Sequence, residues 1–302
     1  MDMGRSASFL ILIFLAVAVC AYELQNAKAQ GTIYIRANGS IEPVGAAISS
    51  FDNVTYAFTG DISQTIAIER DNVVVKGFGH MLQGNGTGYG FFLGGRNNVT
   101  ISDVNIRSFD AGVRTDYCLG TRILNNNMTD NHHAGIWLFL SNSSWICQNR
   151  ITRNLFAGII LDASSTNIIL ENDVRDNGES IRFEYSFNGI DMSSDNAIFH
   201  NNFVNGSVYT YFAGSPENSW DNGYPSGGNF WSDYFEKYPN AAEIDASRIW
   251  DTPYAIDANN TDRYPLMGEY AIPEFSLPLV LPSFMVATFL AVIMFRRKNK
   301  LS

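Results

Sequence analysis

The middle of the chain can be laid on itself. NVTISDVNI at 98–106 stacks on RILNNNM at 122–128, WICQNRI at 145–151, IILENDV at 168–174 and AIFHNNF at 197–203. Each has Ile or Leu, two residues, usually Asn, one residue, then an apolar side chain. A second run follows each first one: GFFL from Gly90, AGVRT around Gly112, AGIWL around Gly135, AGIIL around Gly158 and NGIDM around Gly189. Those glycines stand 22, 23, 23 and 31 residues apart. Apolar residues alternate within each run, and Asn- or Gly-bearing turns separate the runs, which is a strand signal broken by turn chemistry. Strands repeating at this period do not pair as hairpins, whose neighbours would be antiparallel. They pair with the same strand one turn later, giving an all-β parallel β-helix of seven or eight coils stacked at about 4.8 Å. A leucine-rich repeat would need its own LxxLxL pattern and a helical half, and neither is present.

The column Asn126, Asn149, Asn172 and Asn201 then has a structural reason. Amides stacked at a turn can hydrogen-bond from coil to coil and satisfy backbone groups that the turn leaves free.

Residues 1–29 read as a signal peptide, with Arg5 ahead of an apolar run and AKA at 27–29 as the cleavage region. Residues 271–295 read as a linker and a transmembrane helix, FSLPLVLPSFMVATFLAVIMF being uncharged and followed by a basic tail at 296–302. Basic residues stay on the cytoplasmic side, so the body is expected outside, anchored at the cell surface by a single span. The net charge of −10 argues against a nucleic-acid partner. Eight glycosylation sequons, from Asn38 to Asn259, suit an exported surface. Of the three cysteines, Cys20 falls in the expected signal peptide; Cys118 and Cys147 fall at different positions of the repeat, and two cysteines make no disulfide framework.

The solenoid is expected over 30–215 and an aromatic-rich cap over 216–270. SWDNGYPSGGNFWSDY at 219–234 begins where the repeat stops and follows no regular apolar period. A last coil exposes strand edges and apolar core, and Trp220, Tyr224, Phe230, Trp231 and Tyr234 are placed to cover them.

The repeat resembles the pectin-lyase-like right-handed β-helix superfamily. More narrowly it is similar to the NosD-like proteins common on archaeal cell surfaces, with their carbohydrate-binding and sugar-hydrolase type repeats. IERDNVVVKGFGHMLQGNG at 68–86 matches their opening pattern; GGNFWSDY at 227–234 and DTPYAIDANNTDRYPLM at 251–267 match their closing one. The likeness runs from about Thr32 to Met267 and implies a right-handed helix. Family members often carry a Gly- and Asp-rich stretch before DTPY, where this chain has FEKYPNAAEIDASRIW at 235–250, so no calcium is expected there.

On a solenoid, function belongs to outward columns. In the second strand these read Phe92, Arg114, Trp137, Ile160, Asp191 and, two residues on, Gly94, Asp116, Phe139, Asp162, Ser193. Arg114, Trp137, Phe139, Asp162 and Asp191 form the candidate carbohydrate site, because aromatic faces suit the CH faces of sugars and charged groups suit their hydroxyl rims. Were the protein an enzyme, Asp116, Asp162 and Asp191 would supply the carboxylates. Asp116 and Asp162, two coils apart, would stand about 9–10 Å from each other, near the upper end for an inverting glycosidase. The eight extra residues near GESIRFEY at 178–185 are expected in a turn before the strand bearing Asp191, where they could wall a groove.

The NosD name also raises copper. Of His80, His132, His133 and His200 only two adjoin, neighbours at a turn point apart, and Met128 faces inward, so neither a metal site nor a cofactor is expected. The leading reading is a surface-displayed binding or structural module for extracellular or envelope polysaccharide. The alternatives are a glycoside hydrolase or lyase and a copper-site accessory protein.

Overall fold

A computed structural model describes residues 31–184, 192–210 and 216–272. The signal-peptide expectation, the apolar run at 275–295 and its basic tail lie outside them. Among the described residues no helix is long and apolar enough to cross a membrane.

The chain winds as a parallel β-solenoid with three sheets of nine, eight and seven strands. One turn is Ala111–Asp116, Arg122–Leu124 and Asn127–Thr129, a strand in each sheet. Every strand of that turn pairs in parallel with its counterparts one turn away. Arg114 lies beside Phe92 and Trp137, Ile123 beside Ile101 and Ile146, and Met128 beside Ile106 and Ile151. Six turns are complete, from Thr65–Ile68 to Asn202–Val204, with partial turns at both ends, somewhat fewer than the seven or eight coils expected. At the first end, short antiparallel strands Ile41–Glu42 and Ile48–Ser49 close two of the sheets.

Stacking in register makes the core a set of like-on-like columns. Ile101, Ile123, Ile146, Ile169 and Ile198 are all fully buried, as are Val113, Ile136, Ile159 and Ile181. Between the two short strands of a turn the chain bends at one left-handed residue, Asn125, Gln148, Glu171 or His200, with φ from 55° to 59°. The next residue is the laddered asparagine. Asn149 shows the pattern: its Oδ1 accepts from Asn126 N and Nδ2 at 2.9 and 3.2 Å, while its own Nδ2 donates to Ile123 O at 2.8 Å and Asn172 Oδ1 at 3.0 Å. Each buried amide thus satisfies the backbone that the bend unpairs.

The same device serves the other corners. Asn131, Asn154 and Asn177 form one further ladder, Asn167, Asn196 and Asn218 another, and Ser141, Ser164 and Ser193 a hydroxyl version. Ser193 therefore belongs to a corner and not to the outward column in which the sequence placed it. Glycine recurs in the long strand for a steric reason. A Cβ on Gly112 would stand 2.6 Å from Gly135 O, and one on Gly135 would stand 2.7 Å from Gly158 O.

The structure corrects the 31-residue step. The strand that pairs with Ala157–Asp162 is Glu179–Glu184, with Ile160 beside Arg182 and Asp162 beside Glu184. GESIRFEY is thus a rung and not an insertion; the added residues follow it. SIRFE and NGIDM both alternate, and the Gly in the second drew the register away from Ser180, which takes the glycine position one normal period after Gly158.

Beyond the last turn, Trp220, Trp231 and Tyr234 are buried. Trp231 stacks on Tyr254 at 4.2 Å and packs tilted against Phe203 at 4.7 Å, and Trp220 packs on Phe183 at 5.9 Å, so rings cover the open core. Phe230 is half-buried in a strand that extends the seven-stranded sheet. Tyr224 is exposed, against Tyr264, and does not plug the end. Two ladders also end here. Asn260 Oδ1 accepts from Asn218 N at 2.9 Å and from Trp220 Nε1 at 3.0 Å. Asp262 Oδ2 accepts from Asn229 N at 2.8 Å and Trp231 Nε1 at 2.9 Å.

Candidate functional site

The outer face of the nine-stranded sheet carries one uninterrupted register column: Tyr34, Ala67, Phe92, Arg114, Trp137, Ile160, Arg182 and Tyr209. The alternating partners of these residues are core, which is why the column faces out. Beside it run Gly94, Asp116, Phe139, Asp162 and Glu184. Arg114, Asp116, Trp137, Phe139 and Asp162 therefore lie together as the sequence placed them. Asp191 lies outside the described residues, and its expected rung is taken by Arg182 and Glu184. Strict counting of 22–23 residues from Gly158 would have found both.

The face is largely covered by its own side chains. Ala111, Ala134, Ala157 and Ile160 are buried there beneath Tyr89, Trp137 and Phe156. The Arg114 guanidinium lies 3.6 Å from the Trp137 ring centroid and donates to Asp116. His133 is sandwiched between Trp137 and Phe156, 4.8 Å from each ring centroid. Arg182 sits over Tyr209 at 4.0 Å and bonds Glu184 and Glu179. Trp137 is thus clad by Arg114 and His133, which limits the ring surface it offers to a ligand.

Aromatic surface is open further toward the first turns. A recess of about 470 Å³ is lined by Thr32, Tyr34, Thr65, Tyr89, Phe92 and Arg96, among others. Tyr89 and Phe92 stack at 5.7 Å to form one wall. Spacing did not single out Tyr34, which precedes the first clear repeat, or Tyr89, which pairs with Ala111 and so lies outside the Phe92 column. A second recess, of about 570 Å³, lies between Gly206–Val208 and the cap. There Tyr254 bonds Asp233 at 3.0 Å and Lys237 donates to Ala255 O, contacts that hold the cap.

Asp162 is the unusual acid. It is buried, and desolvation followed by repulsion from Glu184 pushes its carboxyl up to about 6, against the pull of Arg114 and Trp137. Trp137 Nε1 lies near enough to favour the carboxylate yet makes no hydrogen bond of good geometry. The folded-state value stands above the ordinary carboxylate range, so protonation favours the fold. That stabilisation is complete below about pH 4, is lost as pH rises through about 6, and is worth on the order of 2–3 kcal/mol. Thermal midpoints of the wild type and Asp162→Asn, compared from pH 4.5 to 8, should diverge in favour of the variant as pH rises. Parallel curves would show that Asp162 does not titrate as its burial requires.

Asp116 and Asp162 flank Phe139 in one row and are two strand spacings apart, about 9–10 Å. Asp116 is engaged by Arg114, and Glu184 by Arg182. Soft and imidazole donors are scattered. His80 contacts Asp61, His200 stacks on Tyr270 and bonds Ser226, Cys118 is buried, and Met128 is core. Both cysteines are free. Among the described residues no three His, Cys, Asp or Glu side chains converge as a metal site would need.

These features define a parallel β-helix protein with a laddered, aromatic and charge-paired outer face. Residues 26–235 match the family described as "Periplasmic copper-binding protein (NosD)", and the chain belongs to that family. Among solved structures it is similar to the periplasmic alginate epimerase AlgG, at 14% identity and a TM-score of 0.38, over 57% of this chain and 62% of that one. It is also similar to the alginate lyase from Paenibacillus sp. str. FPU-7, at 10% identity and a TM-score of 0.22, over 55% of this chain and 90% of that one. The chain spans about three fifths of the epimerase's length. No curated protein matches it. Among the described residues the donors do not fit the copper of the family's description, since His133 is held between two rings and no three His, Cys, Asp or Glu side chains converge.

Proposed function

We propose that the protein is an exported glycan-binding module whose binding surface is the outer face of the nine-stranded sheet. The observation that carries this reading is the register column from Tyr34 to Tyr209, eight strands long, that ends in an open aromatic recess. Strands 4.8 Å apart place successive side chains along a line of about 34 Å, a length suited to an extended polysaccharide. Tyr89 and Phe92 supply flat apolar faces, Tyr34 offers the side of its ring away from Arg36, and the Thr32 and Thr65 hydroxyls with Glu69 supply hydrogen-bond partners. The family's periplasmic description supports export, and the apolar run at 275–295 with its basic tail supports a body held at the outer surface of a membrane. The right hand expected of the coil belongs to this reading too.

Phe92→Ala and Tyr89→Ala are each expected to weaken retention on immobilised polysaccharide by about tenfold or more while the thermal midpoint stays near that of the wild type. Trp137→Ala, whose ring is already clad, is expected to weaken it less. Retention unchanged in both recess variants would overturn the reading.

One observation favours an enzyme as the second reading: a buried acid, Asp162, beside Glu184 and in one row with Asp116. A hydrolase or lyase would release oligosaccharide ends, and Asp162→Asn and Asp116→Asn would abolish the release. Binding that survives both changes with no new ends formed belongs to the module.

A further inference from the structure

The ionic groups of the face bear on which glycan it takes. Three of its four guanidiniums are hydrogen-bonded by the chain's own carboxylates, and the fourth, Arg96, is held by backbone carbonyls beside Asp71. Arg36, over the Tyr34 ring, is bonded to Glu42 at 2.6 Å and to Glu69 at 3.0 Å. Arg96, at the recess, lies 3.7 Å from Asp71 and donates to Gly94 O and Glu69 O. Arg114 is held by Asp116, and Arg182 by Glu179 at 3.1 Å and Glu184 at 2.6 Å. Arg114 Nη1 has no partner, but it is buried beyond a ligand's reach.

The carboxylates outnumber the cations they hold. Arg36 and Arg182 each bind two, and Asp162 has no cation of its own. A glycan made of uronic acids would have to displace a carboxylate to reach Arg36, Arg114 or Arg182, leaving it beside its own, and at Arg96 it would meet Asp71 and Glu69. Like charges so placed oppose binding, and the chain's net charge of −10 adds to the opposition at low salt. A neutral sugar meets no such cost. Its CH faces lie on Tyr89 and Phe92, and its hydroxyls donate to Glu69 or accept from Thr65. The paired arginines then act as flat, rigid rails that fix the aromatic rings, as Arg36 does on Tyr34 and Arg114 on Trp137.

We infer that the polysaccharide recognised by this face is uncharged, and that its arginine–carboxylate pairs are a device that excludes uronate chains. This rests on the reading of the face as a glycan-binding surface. It also separates this chain from any expectation that it engages an anionic glycan such as alginate.

Affinity electrophoresis of the full chain tests it, using mixed-linkage β-glucan and galactomannan against alginate and polygalacturonate of matched chain length. Each is run with and without about 1 mM calcium, since extracellular sites that bridge carboxylates through calcium work in that range. Retardation by a neutral glycan is expected to exceed that by either uronate at least about tenfold, with or without calcium. It should change little when salt is raised to about 0.5 M. Retardation by a uronate equal to or above that by the neutral glycans, in either calcium condition, would overturn the inference while leaving glycan binding itself in place. Retardation by none of the four would overturn both. A gain-of-binding variant gives an independent check. Glu179→Gln with Glu184→Gln frees Arg182 and is expected to raise retardation by polygalacturonate several-fold over the wild type. No gain in a variant that folds like the wild type would count against the exclusion device.

Discussion

Asn149→Ala is expected to lower the free energy of unfolding by about 4 kcal/mol, a large share of the stability of a domain this size. The side chain is buried and serves both neighbouring coils. Without it Asn126 N loses its acceptor at 2.9 Å and Ile123 O a donor at 2.8 Å, while Cys147 O and Asn172 Oδ1 each lose one donor at 3.0 Å and keep a backbone N–H. Each buried group left unpaired costs about 1–3 kcal/mol, and no water fits between coils in van der Waals contact. Asn127→Ala, one residue beyond the laddered position, removes one bond at 3.2 Å from a half-exposed site and should cost about 1 kcal/mol or less. Urea unfolding followed by far-UV circular dichroism distinguishes the two. Equal losses would mean that the ladder is no stronger than surface hydrogen bonding.

Trp231→Ala should be as damaging, at about 4 kcal/mol, through a different mechanism. Trp231 is 3% exposed, stacks within 3° of parallel on Tyr254, and also contacts Phe203 and Trp220. Its removal opens a cavity over the last coil and takes a donor from Asp262, whose burial already pushes its carboxyl up to about 7. Trp231→Phe, which refills most of the space but not the bond, should recover roughly half of the loss. Dye binding to exposed apolar surface is expected to rise in the Ala variant before the solenoid itself unfolds. A variant that unfolds like the wild type, with no added dye binding, would show that the rings do not hold the end closed.

The solenoid could be read from the sequence because its physics is periodic. Ile123, Ile146 and Ile169 recur where stacked strands must put one apolar residue on another, and Asn126, Asn149 and Asn172 recur where one corner must be satisfied. The other corners escaped notice because their ladders mix residue types: Ser141 and Ser164 do the work of Asn, and Ser144 stands in line with Asn167. The Arg114–Trp137–Asp162 grouping was legible for the same periodic reason. Its neighbour Arg182 was not, because a glycine at 189 imitates the rung signal while Ser180 carries the true one. That Trp137 is covered by Arg114 and His133 could not be counted from spacing at all. It depends on rotamers, and it moves the accessible aromatic surface to Tyr89 and Phe92, at the start of the clear repeats. The cap was legible as aromatic excess without a period, but not which rings it buries.

Asn260 and Asp262, two residues apart, receive the last hydrogen bonds of two separate ladders. A stack of identical amides has no intrinsic length, since each rung presents the same unsatisfied face to the next. The chain stops its own growth with one short segment returned from well beyond the last turn, like the fixed end-piece of a telescoping tube. Rungs could therefore be duplicated or deleted in the middle of the gene without redesigning the terminus. The span of the outer face becomes a quantity that evolution adjusts one coil at a time.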